Sequence, residues 1–201
     1  MLNFDPIAHR YQFGGVTVPS VTQVLRSLYD FSMVAPEVLE RKRQIGVATH
    51  AAIALDIGND LDEGSVAPEV AGYLKGWRAF RADCSLHEAD FGEIERPLYH
   101  QIFRFAGTPD MALCLDKCWS VLDVKTAADL HPAVALQLAA YLELLNANTP
   151  AGEHKLKRRY ALRLRENGTY RLDEMKDKND LSTFLAFLMT NRWREANLKG
   201  A

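Results

Sequence analysis

The sequence predicts an α/β protein: a mixed central sheet flanked by helices, with a hairpin at the N-terminus and a helix at the C-terminus. Three observations predict it. Residues 107–126 and 154–172 alternate with a period of two around short polar turns, as paired strands do. Residues 36–55, 65–83, 132–145 and 179–197 carry apolar positions at helical spacing. The order is helix, strand, paired strands, helix, strand, which is a layered arrangement around one sheet.

With 201 residues and 48% hydrophobic content, the chain is long enough to bury one core, and a single domain over residues 1–201 is expected. There is no charged-then-apolar leader and no apolar run of bilayer length, so a soluble, cytoplasmic protein without a membrane partner is expected. Cys84, Cys114 and Cys118 sit in no zinc-like spacing and suit a reducing compartment. Three thiols are also too few for a four-thiolate iron–sulfur cluster. A net charge of −2 gives no general pull toward nucleic acid, so any such affinity has to come from local patterning.

Residues 9–20 read as a hairpin turning at Gly14-Gly15, with Ser20 capping a helix that continues through Leu28. Pro36 opens a helix carrying Arg41, Lys42 and Arg43, a cluster that is either solvated surface or a DNA contact. From Ile45 onward the buried positions are Ile45, Ala52 and Ile53, while Gly46, His50 and Ala54 share one face. His50 is the only side chain on that face with reach. A polar loop at 60–64 leads to a long amphipathic helix whose stripe is Val66, Val70, Tyr73, Leu74, Trp77 and Phe80. Residues 91–99 and 101–106 are the next strand signals. Glu93, Glu95 and Pro97 alternate there, the proline marking an edge or a bulge.

The stretch that organises the chain is 107–126. If Asp116-Lys117 turns a hairpin, Leu115 pairs with Cys118 and Asp110 falls opposite Asp123. Trp119, Val121, Asp123 and Lys125 then share one strand face, with Ser120, Leu122 and Val124 on the other. Two carboxylates facing across a ladder at about 5 Å repel by on the order of 3 kcal/mol at an effective dielectric near 20. A divalent cation between them turns that repulsion into binding, and hard oxygen ligands suit Mg²⁺ or Mn²⁺. Lys125 is placed to hold an anion or a water beside such an ion. The bland alternative is a structural Asp123–Lys125 ion pair with Asp110 as a turn residue. Removing either aspartate should cost most of any activity and leave the fold intact or steadier, because the mutual repulsion disappears.

Pro132 starts a helix to about Leu145, with His131 or Asp129 near its cap and Val134, Leu138 and Leu145 facing inward. Gln137 and Tyr141, one turn apart, share a face leaning toward the Asp123–Lys125 strand, where they could hold a water, a ligand carboxylate or a phosphate. In residues 154–165, Lys155, Lys157, Arg159, Arg163 and Arg165 alternate with Leu156, Tyr160, Leu162 and Leu164. The basic face either tracks DNA phosphates or blunts an exposed edge strand. Asn167-Gly168 closes a hairpin, and the last helix packs through Leu181, Phe184, Leu185, Leu188 and Trp193.

Pro109-Asp110 followed by Asp123-Val124-Lys125 resembles the bipartite motif of the PD-(D/E)XK nuclease superfamily. Gln137-Leu-Ala-Ala-Tyr141 is similar to the Q-x-x-x-Y motif of its RecB-like branch, which includes phage-type exonucleases. The resemblance covers roughly residues 45–145. It implies a restriction-endonuclease-like αβββαβ core and a metal-dependent DNA nuclease, an exonuclease on duplex ends more than an endonuclease, from a bacterial or phage-infected cell. A non-catalytic DNA- or partner-binding module on the same fold is the alternative. It further implies that His50, following Gly46, is a metal ligand with Asp110, Asp123 and the carbonyl of Val124. Glu95 would be an additional site acid (Glu93 its rival), with Lys125, Gln137 and Tyr141 completing the catalytic set. An annealing or helicase partner and oligomeric rings occur among such relatives.

Overall fold

A computed structural model describes residues 1–6 and 8–198. The chain runs β1 (Leu2–Asp5), β2 (Arg10–Phe13), β3 (Val16–Val18), α1 (Val21–Leu25), α2 (Pro36–Ile57), α3 (Pro68–Asp83), β4 (Phe91–Ile94), β5 (Leu98–Tyr99), β6 (Ala106–Gly107), β7 (Met111–Leu115), β8 (Cys118–Lys125), α4 (Ala133–Asn148), β9 (Arg158–Leu164), β10 (Tyr170–Glu174) and α5 (Asp180–Asn197).

The β7–β8 turn sets the frame. Asp116 and Lys117 both take positive φ, 50° and 61°, the mirror-image turn whose twist matches that of two antiparallel strands. Leu115 therefore pairs with Cys118 and Met111 with Leu122, as the parity argument requires. β8 also pairs with β9 in parallel, through the crossover helix α4. The result is a mixed five-stranded sheet in the order β10-β9-β8-β7-β4 with helices on both faces.

One face, with Ala112, Val121 and Ala161, is covered by Val134, Leu138 and Leu144 of α4 and by Phe184 and Leu188 of α5. The other, with Leu113, Leu122, Val124 and Leu162, is covered by Ile53 of α2 and by Trp77 and Phe80 of α3. α2 and α3 are joined by a buried carboxylate. Asp56 accepts from Trp77 Nε1 at 2.9 Å, Arg78 Nε at 2.8 Å and Arg81 Nη1 at 2.8 Å, so its charge is fully partnered. α3 meets the β9–β10 turn at Gly72, where an added Cβ would lie 1.8 Å from the Glu166 carbonyl oxygen. The N-terminal sheet β1-β2-β3 turns at Gly14-Gly15 and leads into α1, where Ser20 and Gln23 form a reciprocal capping box.

Four expectations are corrected. Residues 101–105 are a turn, not a strand, because the His100 imidazole captures the Phe103 amide (3.1 Å) and the His100 amide closes on the Phe105 carbonyl (2.8 Å). The strand expected through residue 99 stops at Ile94: Glu95 takes φ 45°, and Leu98–Tyr99 pair with Ala106–Gly107 in a separate two-stranded sheet. β9 is interior rather than an edge, since β10 takes the edge position. Trp193 is 59% exposed on the outer side of α5 and does not pack in the core. No helix among the described residues is long and apolar enough to cross a membrane.

Candidate functional site

Asp123 lies in the central strand with no solvent exposure. Its Oδ1 accepts from Gln137 Nε2 at 3.3 Å. Its Oδ2 is 2.7 Å from Lys125 Nζ, yet no well-directed hydrogen bond reaches that oxygen. Asp110, one residue before β7, turns back onto β8: its Oδ2 accepts the Val124 amide at 2.6 Å. Its Oδ1 stands 3.5 Å from His50 Nδ1, which is also 3.8 Å from Glu95 Oε1. The other ring nitrogen, Nε2, is 3.1 Å from the Val124 carbonyl. His50 thus sits between one carbonyl oxygen and two carboxylates.

Backbone geometry selects Glu95 over Glu93. In an unbroken strand both would share a face, but the left-handed backbone at Glu95 redirects its side chain toward His50, and its amide donates to the Asp110 carbonyl at 2.9 Å. Glu93 forms an ion pair with Arg96 instead.

Burial first, and then the charge of Asp123, pushes the Asp110 carboxyl up to about 6, against the pull of His50, Lys125 and the Val124 amide. Burial would lower the Lys125 ammonium, but the Asp123 and Asp110 carboxylates outweigh it and hold the pKa above its ordinary value. Burial and the same two acids drive the Tyr141 phenol well above its usual range. Tyr141 is therefore a fixed O–H group, with Gln137 Nε2 3.3 Å from its oxygen. Close approach of this ring depends on Gly107, where a Cβ would come within 2.9 Å of Tyr141 Cε1.

Among the described residues, no group of three or more His, Cys, Asp or Glu side chains is placed to hold a metal ion. The donors present are two carboxylates, an imidazole and the Val124 carbonyl, with one buried carboxylate oxygen lacking a directed donor. Carboxylate and carbonyl oxygens are the donor type that hard divalent ions take, and imidazole is a ligand type for Mn²⁺.

The site opens into a cavity of about 430 Å³. Its far wall was not foreseen: Phe4, His9 and Tyr11 of the N-terminal sheet line it, with the Tyr11 hydroxyl 2.7 Å from Thr108 Oγ1. The available signal was the concentration of rings in the first eleven residues, Phe4, His9 and Tyr11.

His50, Glu95, Asp110, Asp123, Val124, Lys125, Gln137 and Tyr141 are brought together. The basic residues are not. Arg41, Lys42 and Arg43 occupy the exposed first half of α2, with Arg41 3.9 Å from Glu69 and Arg43 paired to Glu40 at 2.7 Å. Arg159 and Arg163 are each 8% exposed, which corrects their reading as a phosphate-tracking face. Arg159 donates to Asp180 Oδ2 (2.7 Å), the Asp177 carbonyl (2.7 Å) and the Ala135 carbonyl (3.1 Å). Arg163 donates to Asp173 Oδ2 at 2.8 Å. Lys155 reaches the Asn146 carbonyl at 2.5 Å and Arg165 the Ala128 carbonyl at 3.1 Å, while Lys157 stays exposed.

Comparison with protein-family models finds no match for this chain, and comparison with curated proteins finds no significant one.

Proposed function

We propose that this protein is a divalent-metal-dependent deoxyribonuclease built on a restriction-endonuclease-like αβββαβ core, an exonuclease of the phage recombination or DNA-processing kind. The observation that carries the reading is the placement of Asp110 and Asp123 just past the same end of the β7–β8 ladder, with Asp110 bonded to the Val124 amide, Lys125 against Asp123 and His50 against Asp110. The residues resembling the PD-(D/E)XK and Q-x-x-x-Y motifs fall in this one cluster, which supports the family reading.

Asp110, Asp123, His50 and the Val124 carbonyl would hold Mg²⁺ or Mn²⁺. When bound, such an ion lowers the pKa of a coordinated water and offsets charge on the scissile phosphate. The chain's own part is positioning. Gln137 holds Asp123 Oδ1, and through it the carboxylate plane, while Tyr141 backs the glutamine with a neutral hydroxyl. Lys125, charged at neutral pH, stabilises negative charge developing on the phosphate oxygens. Glu95, beside His50, would orient an attacking water.

The test uses end-labelled linear duplex and closed circular DNA with Mg²⁺, Mn²⁺ or chelator, beside Asp123→Ala. Expected is metal-dependent release from ends, absent in the variant, with the circle intact. Cutting of the circle would make the enzyme an endonuclease. Cleavage by Asp123→Ala at the parent rate would overturn the site.

A further inference from the structure

The segment joining α1 to α2 leaves apolar side chains exposed beside the site. Phe31 is 49% exposed, Met33 94% and Val34 39%. Folding does not bury them, and a cluster of exposed apolar groups next to a polar site marks an interaction surface.

Its aromatic members are ordered as a stack. Tyr29 lies 4.3 Å from the His131 ring, centroid to centroid. Phe31 lies 5.8 Å from Tyr29 on another side, with the two planes only 11° apart. The turn is internally braced: Asp30 Oδ1 accepts the Ser32 amide at 2.9 Å, and the Val34 amide donates to the Phe31 carbonyl at 2.9 Å. Tyr29 packs against the core and is near enough to Lys125 and Asp123 for both charges to act on its phenol. His131 is fixed at its ring, Nδ1 accepting the Ala133 amide at 3.1 Å. Tyr29 and Phe31 are therefore near-parallel, the His131 ring packs against Tyr29 at a tilt of 32°, and Phe31 is half open to solvent.

We propose that the Phe31–Tyr29–His131 stack is a nucleobase platform, holding an unpaired base of the strand whose phosphate lies at Lys125. The proposal rests on the nuclease reading and narrows its substrate to single-stranded or end-frayed DNA. Every base offers a π-face, so stacking of this kind is tolerant of sequence. It favours a base that has left its duplex partner, because a base paired within a duplex presents only its edges in the grooves. An aromatic stack explains what an aliphatic docking patch would not, the near-parallel orientation of Tyr29 and Phe31.

The test places 2-aminopurine at either terminal nucleotide of single-stranded and blunt duplex oligonucleotides, read with chelator so that no cleavage intervenes. The parent is expected to quench the single-stranded probe and to shift the blunt duplex little. Phe31→Ala, at an exposed position that does not threaten folding, should lose the quench and raise KM on single strands about tenfold, more than it lowers kcat. Phe31→Trp should restore both. Parent-like quenching and KM in Phe31→Ala, or no quenching by the parent, overturns the platform even if the parent cuts DNA. Failure of the parent to cut any DNA with Mg²⁺ or Mn²⁺ counts instead against the nuclease reading, because the quench is read without turnover.

Discussion

The Asp110 carboxylate accepts the backbone N–H of Val124 at 2.6 Å, tying the residue before one strand to the residue directly after Asp123 on its neighbour. The bond uses a main-chain donor that no side-chain substitution can remove, and it fixes the spacing of the two acids. Burial nevertheless burdens the two acids unequally. Asp123 is compensated by Lys125, whereas the Asp110 carboxyl is pushed above its ordinary value by burial, although the Val124 amide favours its charged form.

From this asymmetry the two aspartates should behave differently on removal, which corrects the expectation that either loss steadies the fold. Asp123→Ala strands the Lys125 charge and should cost about 1–3 kcal/mol, less than a fully buried pair because Lys125 is 26% exposed. Asp110→Asn relieves a penalty and should stabilise. Both should lower nuclease activity by roughly 10³-fold or more. Urea unfolding in chelator, beside initial cleavage rates, checks the pair of signs.

The same asymmetry sets a pH dependence for the metal-free protein. The Asp110 carboxyl titrates near 6 when folded against 3.8 ordinarily, so between those values the folded chain holds a proton the unfolded chain has released. Stability should therefore fall as pH rises through this window. At about 1.36 kcal/mol for each pH step, the loss approaches 3 kcal/mol by pH 7. Asp110→Asn should flatten the profile, and thermal melts from pH 4 to 8 would show whether it does.

Cation binding should oppose that loss. Mn²⁺ added at pH 7.5 is expected to raise the melting temperature of the parent, while Asp110→Asn and Asp123→Asn show little change. Equal shifts in all three proteins would place the ion elsewhere.

Arg159 offers a test of the corrected basic strand. Its guanidinium is spent on Asp180 and two carbonyls, so Arg159→Ala should destabilise by about 3–5 kcal/mol. The salt dependence of DNA binding by the folded protein should not change. A lower salt slope with unchanged stability would restore the phosphate-tracking reading.

The physical limit of sequence reading shows at that strand. Period-two alternation tells which side chains share a face, and it grouped Arg159 with Arg163 correctly; it does not tell whether the face meets water or a helix. Here the companions were in view as Asp173, Asp177 and Asp180, but only the hairpin and α5 bring them back onto β9. The opposition of Asp110 and Asp123 was legible because parity survives any even-length turn. Gln137 and Tyr141 followed from helical spacing. The redirection of Glu95 was not legible, since a positive φ at glutamate has no local signature.

Close packing gives a prediction independent of function. Gly72→Ala would drive a methyl group into the Glu166 backbone, and backbone yields less readily than a side chain. A loss of about 3 kcal/mol or more is expected in denaturant unfolding, with cleavage per folded molecule unchanged.

Strand position also divides the site by how it comes apart. Asp123 and Lys125 belong to the central strand β8 and pair with Ala161 and Arg163 of β9, just past the end of the β7 ladder, so this half of the site should open only with the sheet itself. Glu95 lies just beyond the end of the edge strand β4, held to its neighbour by a single amide, and the Phe31 turn is anchored to no strand at all. One half of the cleft is as durable as the molecule itself, and the other can breathe while the fold persists.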